Sequence, residues 1–282
     1  MFVAFSGGVD STLLLKLARE TLGRNRVLAV TANSPSLAQA DLDEAGGLAK
    51  LLDVEHLVIE TLEVENPAYR VNTPSRCYFC KQELFSHLQR LAAERGISTI
   101  LYGAIGDDVR EERPGAVAAL EYQVRAPLQE AGLEKWEVRE LARQLGLPNW
   151  DRPQNACLSS RIPHGLEVTE EKLQQIERAE AFLLNLGFRQ VRVRHLGDHA
   201  RIEVGREEVD RFFQDAVLCQ QVVEQFVLLG FRSVGIDRAG YRAGGANQSH
   251  SDELILVVES GKWKVERKQG AINSLFTFNF PL

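Results

Sequence analysis

Ser6-Gly7-Gly8-Val9-Asp10-Ser11 follows the apolar run Phe2-Val3-Ala4-Phe5 and opens a stretch, Ser11 to Leu22, with apolar residues at helical spacing. A strand, a double-glycine turn and a helix in that order narrow what the chain can become. Glycine lets the backbone turn tightly and approach an anion closely. The helix that follows presents free N–H groups and the positive end of its dipole to that anion. The hydroxyls of Ser6 and Ser11 add donors, and Asp10 is placed to hold Mg²⁺. No Gly-Lys-Ser/Thr follows, so this is not the loop that serves γ-phosphate transfer. Two glycines alone would read as a plain turn. The two serines and the aspartate fall in the order a pyrophosphate cradle needs.

The alternation continues downstream. Val27 to Ala32, His56 to Ile59 and Thr99 to Tyr102 read as strands, the last ending in Gly103. Leu37 to Leu52, Leu84 to Glu94 and Glu134 to Leu145 read as helices, with Gly146-Leu147-Pro148 as a stop. Alternating elements predict an α/β fold with a parallel sheet covered on both faces, here over residues 1–148. Leu147 to Gly165 holds three prolines and reads as a link that also carries active-site residues. Residues 149–248 then supply a helix, a hairpin and a second helix, a smaller α+β domain. Val191, Val193, Ile202 and Val204 alternate with polar residues, so one hairpin face packs on a core. Residues 249–282 read as an extension of unknown role, with strands at Leu254 to Val258 and Leu275 to Phe280.

The formal net charge of −6 argues against a broad nucleic-acid surface. No apolar run of about eighteen residues is present to cross a membrane, and no signal peptide is evident. A cytoplasmic setting follows, in which the four cysteines stay reduced. Cys77 and Cys80 follow Asn72-Thr73-Pro74, a helix-start signal, so both thiols share one side of a first helical turn where thiolates are favoured. Cys157 lies far away in Asn155-Ala156-Cys157-Leu158-Ser159-Ser160-Arg161. Three thiolates suit an iron–sulfur cluster with one iron free of protein ligands. Structural zinc would want a fourth ligand, with His87 or His164 as the supplements. A redox pair or two small core residues remain open for Cys77 and Cys80. Cys219 falls on an apolar stripe with Phe212, Ala216, Val223 and Phe226 and reads as core.

Arg192 and Arg194 are two apart on a strand and share a face, as do Arg201 and Glu203 on its partner. An ordinary hairpin would present these as a solvated face. Beside Ser160 and Arg161 they suit a phosphate. Asp107 and Asp108 follow a strand at the sheet edge where ligands bind, and either assists Mg²⁺ or caps the next segment.

The hexapeptide closely resembles the SGGxDS signature of PP-loop pyrophosphatases, which implies attack on the α-phosphate of ATP with pyrophosphate left in the loop. A narrower resemblance, to the LarE family, runs from Phe2 to about Gly245. It rests on SGGVDS, Asp107-Asp108, Arg113-Pro114-Gly115, Cys157-Leu158-Ser159-Ser160-Arg161-Ile162-Pro163-His164-Gly165 and Val191-Arg192-Val193-Arg194. That family implies an adenine nucleotide α-hydrolase-like fold and an ATP-dependent sulfur transferase of nickel-pincer cofactor synthesis. It implies adenylation of a pyridinium dicarboxylate mononucleotide and its conversion to a thiocarboxylate. One kind of member sacrifices a cysteine sulfur; the other holds a 4Fe-4S cluster whose open iron carries an extra sulfide. Cys77, Cys80 and Cys157 match the second kind. By the same resemblance Cys157, Asp10 and Arg161 are catalytic, and Ser6, Gly7, Gly8, Asp10 and Ser11 bind ATP. Ser160, Arg192 and Arg194 take the substrate phosphate, and Glu180 and Glu203 resemble acids of the family. The expected partners are the mononucleotide, a sulfide donor and further copies of the chain. The family usually has a helix before the first strand, and residues after about Ser249 match nothing in it. A tRNA thiolase, an amide-forming ATP pyrophosphatase and a nucleotide-binding redox sensor are the alternatives.

Overall fold

The computed structural model describes residues 1–110, 114–153, 156–242, 245–247, 252–259, 262–269 and 272–276. Arg113, Asn155, Ser249 and the end of the strand expected to reach Phe280 lie outside them. The chain divides into two compact units, Met1–Cys157 and Leu158–Leu282, so the boundary falls after Cys157 rather than after residue 148.

In the first unit strands β1 (Phe2–Ala4), β2 (Leu28–Asn33), β3 (Glu55–Glu60) and β4 (Ile100–Tyr102) form a parallel sheet in the order β3-β2-β1-β4. Between them run α1 (Val9–Leu22), α2 (Gln39–Leu51), α3 (Pro67–Arg70) and α4 (Arg76–Glu94). After β4 come α5 (Gly106–Arg110), α6 (Pro114–Glu121), α7 (Pro127–Glu130) and α8 (Lys135–Gln144). β1 is buried on both faces, which is why it reads as an unbroken apolar run. Val3 and Phe5 pack with Leu13, Leu14, Ala45 and Val138, while Phe2 and Ala4 pack with Phe85, Leu88 and Ala118 on the opposite face. Two cores on one strand make this a doubly wound α/β sheet, as the alternation predicts. Helix α4 starts eight residues before Leu84, where the expected helix began, because its first turns carry Cys77, Cys80 and Lys81 rather than a periodic apolar stripe.

The second unit is a six-stranded mixed sheet in the order β10-β9-β8-β7-β6-β5. Helix α9 (Glu170–Asn185) leads into the antiparallel hairpin β5 (Val191–Leu196) and β6 (His199–Val204). Helices α10 (Arg211–Gln214) and α11 (Ala216–Leu228) lead to β7 (Ser233–Asp237), parallel to β6. Strands β8 (Asp252–Glu259), β9 (Lys262–Gln269) and β10 (Ile272–Phe276) continue the sheet antiparallel from β7. The C-terminal strands therefore extend this sheet instead of standing apart. Val191, Val193, Ile202, Val204, Val234 and Ile236 form the core with Leu183, Val222 and Phe226. Asp215 accepts a hydrogen bond from the Leu218 N–H and starts a new helix, which splits the stripe expected through Cys219 between α10 and α11. Cys219 packs half-buried against this core, and burial pushes its thiol up to about 11. Among the described residues no helix is long and apolar enough to cross a membrane.

One close approach sets the geometry of the sheet's carboxyl edge. A Cβ on Gly103 would stand 2.8 Å from the Ser11 backbone nitrogen, so β4 can end against the first turn of α1 only without a side chain. Gly103→Ala should lower stability by about 1–3 kcal/mol in urea unfolding, the usual cost of overpacking. Gly47→Ala, inside α2 with nothing within 4 Å of the added carbon, should be neutral or gain up to about 1 kcal/mol.

Candidate active site

The loop between β1 and α1 lies at the carboxyl edge of the sheet, where open α/β folds bind ligands. Gly7 has φ +71° and packs directly on α2, where an added Cβ would meet Ala45 at 3.2 Å. Gly8 caps α1 without a side-chain hydrogen bond, leaving the first-turn N–H groups for a ligand. The Ser6 and Ser11 hydroxyls lie 3.2 Å apart, and Ser11 Oγ donates to the Gly8 carbonyl at 3.0 Å. Thr12 Oγ1 donates to the same carbonyl at 2.9 Å. Both Asp10 oxygens accept from Lys135 Nζ at 2.8 Å. A divalent cation on Asp10 would share that carboxylate with an ammonium. Asp107 and Asp108 act as caps: Asp107 accepts from the Lys135 N–H, and Asp108 from the Ile105 N–H, each at 3.0 Å.

Lys135, Asn149 and Arg152 are the residues at this loop that sequence reasoning missed. Asn149 Nδ2 donates to the Gly7 carbonyl at 2.9 Å and to Thr12 Oγ1 at 3.0 Å. Arg152 holds Asp41 and Glu44 of α2, each at 2.7 Å, and its Nη1 stands 3.5 Å from the Gly7 carbonyl. The Lys135 to Asp10 contact spans 125 residues of chain, and no local spacing announces it.

Cys77 and Cys80 lie on the first turns of α4, with Cys77 exposed and Cys80 half-buried. Asn72, buried at φ +56°, accepts from Arg76 Nη1 at 2.6 Å and so holds the start of this helix. Burial pushes the Cys80 thiol well above its ordinary range, and the charges of Glu63, Cys157 and Cys77 add to the rise against Lys81. The expectation that the helix N-terminus would favour a thiolate is thus reversed at Cys80, where desolvation wins. Glu63 is buried and accepts from Ser36 Oγ at 2.6 Å. Cys157, exposed, closes the first unit. Among the described residues no three His, Cys, Asp or Glu side chains stand close enough together to hold a single metal ion.

In the second unit Arg161, Arg192, Arg194, Arg201, Glu180 and Glu203 are all buried, so the face is no solvated one. Arg161 makes a two-pronged pair with Glu180 at 2.9 Å per arm, and Glu180 Oε1 also accepts from the Val193 N–H. Arg194 donates twice to Glu203 Oε2, at 2.9 and 2.7 Å, and to the Ser160 carbonyl at 3.2 Å. Arg192 stacks over the Tyr241 ring at 5.3 Å, and burial followed by the Arg161 charge lowers its pKa. Four buried guanidiniums are gathered around Glu180 and Glu203, a donor chemistry that suits an anion.

A double-glycine cradle at the carboxyl edge of a doubly wound parallel sheet defines an ATP-using enzyme of the PP-loop class. Residues 1–75 match the NAD synthase family. The chain is 46% identical over 246 residues to an uncharacterised protein of Synechocystis, covering 87% of this chain and 91% of that one. It is 40% identical over 249 residues to pyridinium-3,5-bisthiocarboxylic acid mononucleotide synthase of Lactiplantibacillus plantarum, covering 88% of each. An uncharacterised protein of Methanocaldococcus jannaschii is 28% identical over 243 residues, covering 86% of this chain and 91% of its own. The chain belongs to the LarE family.

Glu180→Ala would leave the Arg161 guanidinium buried without its carboxylate and should cost about 3–5 kcal/mol on chemical denaturation. Alkylation of metal-free protein should be slowest at Cys80, with its rate still rising above pH 9, because a raised pKa keeps the thiol protonated where an ordinary one of about 8.5 has ionised. Peptide mass spectrometry after timed iodoacetamide treatment reads this directly.

Proposed function

We propose that this enzyme adenylates a carboxylate of a pyridinium dicarboxylate mononucleotide and converts it to a thiocarboxylate for nickel-pincer cofactor synthesis. The observation that carries the reading is the loop from Ser6 to Ser11, whose glycines and uncapped helix start offer backbone N–H groups to a pyrophosphate. The substrate carboxylate attacks the α-phosphorus of ATP, the α–β bridging bond breaks, and pyrophosphate departs into the loop. Asp10 would hold Mg²⁺, which would supply positive charge to the departing phosphates, and Lys135 beside it balances their charge. Hydrosulfide then adds to the acyl carbon and AMP leaves with the carbon–oxygen bond pair, so the exchange needs no oxidant. Arg192 and Arg194, with Ser160, hold the substrate phosphate, and the gathering of buried guanidiniums around them supports that role. Arg161, fixed by Glu180, orients the segment that follows Cys157.

Cys77, Cys80 and Cys157 are assigned to a 4Fe-4S cluster, which when bound supplies a site for the transferable sulfide. Support comes from the C-x-x-C spacing of Cys77 and Cys80 on the first turns of α4 and from the charges of Cys157 and Cys77, both of which act on the Cys80 thiol. A cluster would also draw the Cys80 proton off against the burial that retains it. A sulfide donor completes the set of partners, and self-association of the chain belongs to the same reading.

Anaerobic protein given ATP, Mg²⁺, sulfide and the mononucleotide should release AMP and pyrophosphate and form more than one thiocarboxylate per chain. Asp10→Ala should abolish both without unfolding. Cys77→Ala, Cys80→Ala and Cys157→Ala should each lose the brown colour and the turnover, whereas Cys219→Ala keeps them. ADP release would overturn adenylation. Loss of hydrogen sulfide from Cys157 after a single turnover would replace the cluster with a sacrificial cysteine. A thiolated tRNA as the sole product would shift the substrate to RNA.

A further inference from the structure

We propose that Asn149 is a positioning residue of the adenylation loop: it pins the Gly7 carbonyl outward so that the following N–H faces the pyrophosphate. The proposal rests on the adenylation reading above and adds a residue to it. A trans peptide is planar, with its C=O and N–H pointing opposite ways. Fixing the Gly7 carbonyl therefore aims the Gly8 N–H, which makes only a long 3.4 Å bond to the exposed Ser6 Oγ, and fixing the Gly8 carbonyl aims the Val9 N–H. In a Gly-Gly turn this does not come free, because glycine accepts either sign of φ and its flanking peptides flip at little cost.

Both carbonyls are held. The Gly8 carbonyl accepts from the Thr12 N–H at 2.9 Å, from Thr12 Oγ1 at 2.9 Å and from Ser11 Oγ at 3.0 Å. The first is the ordinary bond of a helix start, and the other two come from hydroxyls on that same first turn. The Gly7 carbonyl has no such local partner. It is held by Asn149 Nδ2 at 2.9 Å, with Arg152 Nη1 at 3.5 Å as a longer second contact. The second Asn149 contact, 3.0 Å to Thr12 Oγ1, joins the two clamps into one network. Arg152 anchors it on α2 through Asp41 and Glu44.

Asn149 is not placed there for stability. It is buried, and its Oδ1 atom has no hydrogen-bond partner among the described residues, a feature that lowers stability. An apolar side chain would avoid that cost but could not donate to Gly7. The amide cannot be turned around either, since Oδ1 would then face the Gly7 carbonyl oxygen. The chemistry of the position is that of a donor kept for the loop. Asn149 also lies on the segment that runs on to Cys157, so the group that shapes the phosphate cradle and the sulfur-bearing cysteine share one stretch of chain.

Calorimetric titration of the full-length protein with Mg-pyrophosphate and, separately, with AMP tests this. Asn149→Asp keeps the shape and removes the donor, and Thr12→Val removes the shared hydroxyl. Each should weaken pyrophosphate binding about tenfold or more, as loss of a hydrogen-bond network does, while AMP affinity stays within about twofold. Thr12→Ser keeps the hydroxyl and should bind both as the wild type does. Unchanged pyrophosphate affinity in the first two variants, or an equal loss for AMP, overturns the positioning role. Wild-type protein that binds no Mg-pyrophosphate at all overturns the adenylation reading, and this role with it.

Discussion

The first unit depends on two places where a glycine brings backbone directly against a helix. Gly103 ends β4 against the first turn of α1, and Gly7 rests on Ala45 of α2. The facing atoms are backbone of α1 and the backbone and Cβ of Ala45, so neither contact can be relaxed by choosing another rotamer, and the helix start is locked relative to the sheet. The anion cradle is a by-product of that locking. A helix N-terminus is useful to a phosphate only if its free N–H groups are held still, since reorganising them during reaction would forfeit much of their electrostatic effect. The residues that arrive from far along the chain, Lys135 at 2.8 Å from Asp10 and Asn149 at 2.9 Å from Gly7, act on this pre-formed start rather than creating it.

The second unit solves a harder electrostatic problem. Arg194 and Glu203 have side chains 4% and 1% exposed, so neither ion keeps its hydration. Pairing offsets part of the desolvation cost, and the bond Arg194 donates to the Ser160 carbonyl offsets more, but an apolar pair of the same size would hold the sheet at least as well. Burying guanidiniums in this way is therefore a poor choice for stability alone. It makes sense for a face that must grip an anion in competition with water, where low dielectric strengthens each contact.

What could be read in advance divides along a physical line. The parallel sheet of the first unit, its two-sided burial and the glycine turn before α1 were legible because they follow from local periodicity and from glycine next to a helix start. The shared face of Arg192 and Arg194 was legible from the strand period of two. Its burial was not, since Arg, Glu and Val alternating on a hairpin look the same whether the polar face meets water or another element. The strand Ser233–Asp237 was missed because its five residues carry only two core side chains, Val234 and Ile236, too few for a pattern. Lys135, Asn149 and Arg152 had no signal at all: each is an ordinary residue near the end of a helix or in the segment after it, and only the closed fold brings it to the loop. The state of Cys80 failed for a related reason. The helix dipole is a local effect that spacing reveals, whereas desolvation is a property of everything packed around the thiol.

Several groups share one feature: each is more costly to the folded chain than an obvious substitute would be. Asn149 carries a buried acceptor without a partner among the described residues, Cys80 a thiol whose ionisation is opposed by burial and by Glu63, and the arginine face four buried guanidiniums. Spread at random over a protein, such defects would simply subtract from a stability of about 5–15 kcal/mol. Here each is explained by a ligand of matching chemistry. Under the proposed function the loop N–H network relieves nothing for Asn149 itself but gains from its donor; a metal centre would remove the Cys80 proton, and a phosphate would pair with the guanidiniums. Sequences minimise frustration except where function requires it. In this chain the frustrated residues coincide with the adenylation loop, the three thiols and the arginine face, which is the division of labour that an enzyme activating one substrate and delivering sulfur to it requires.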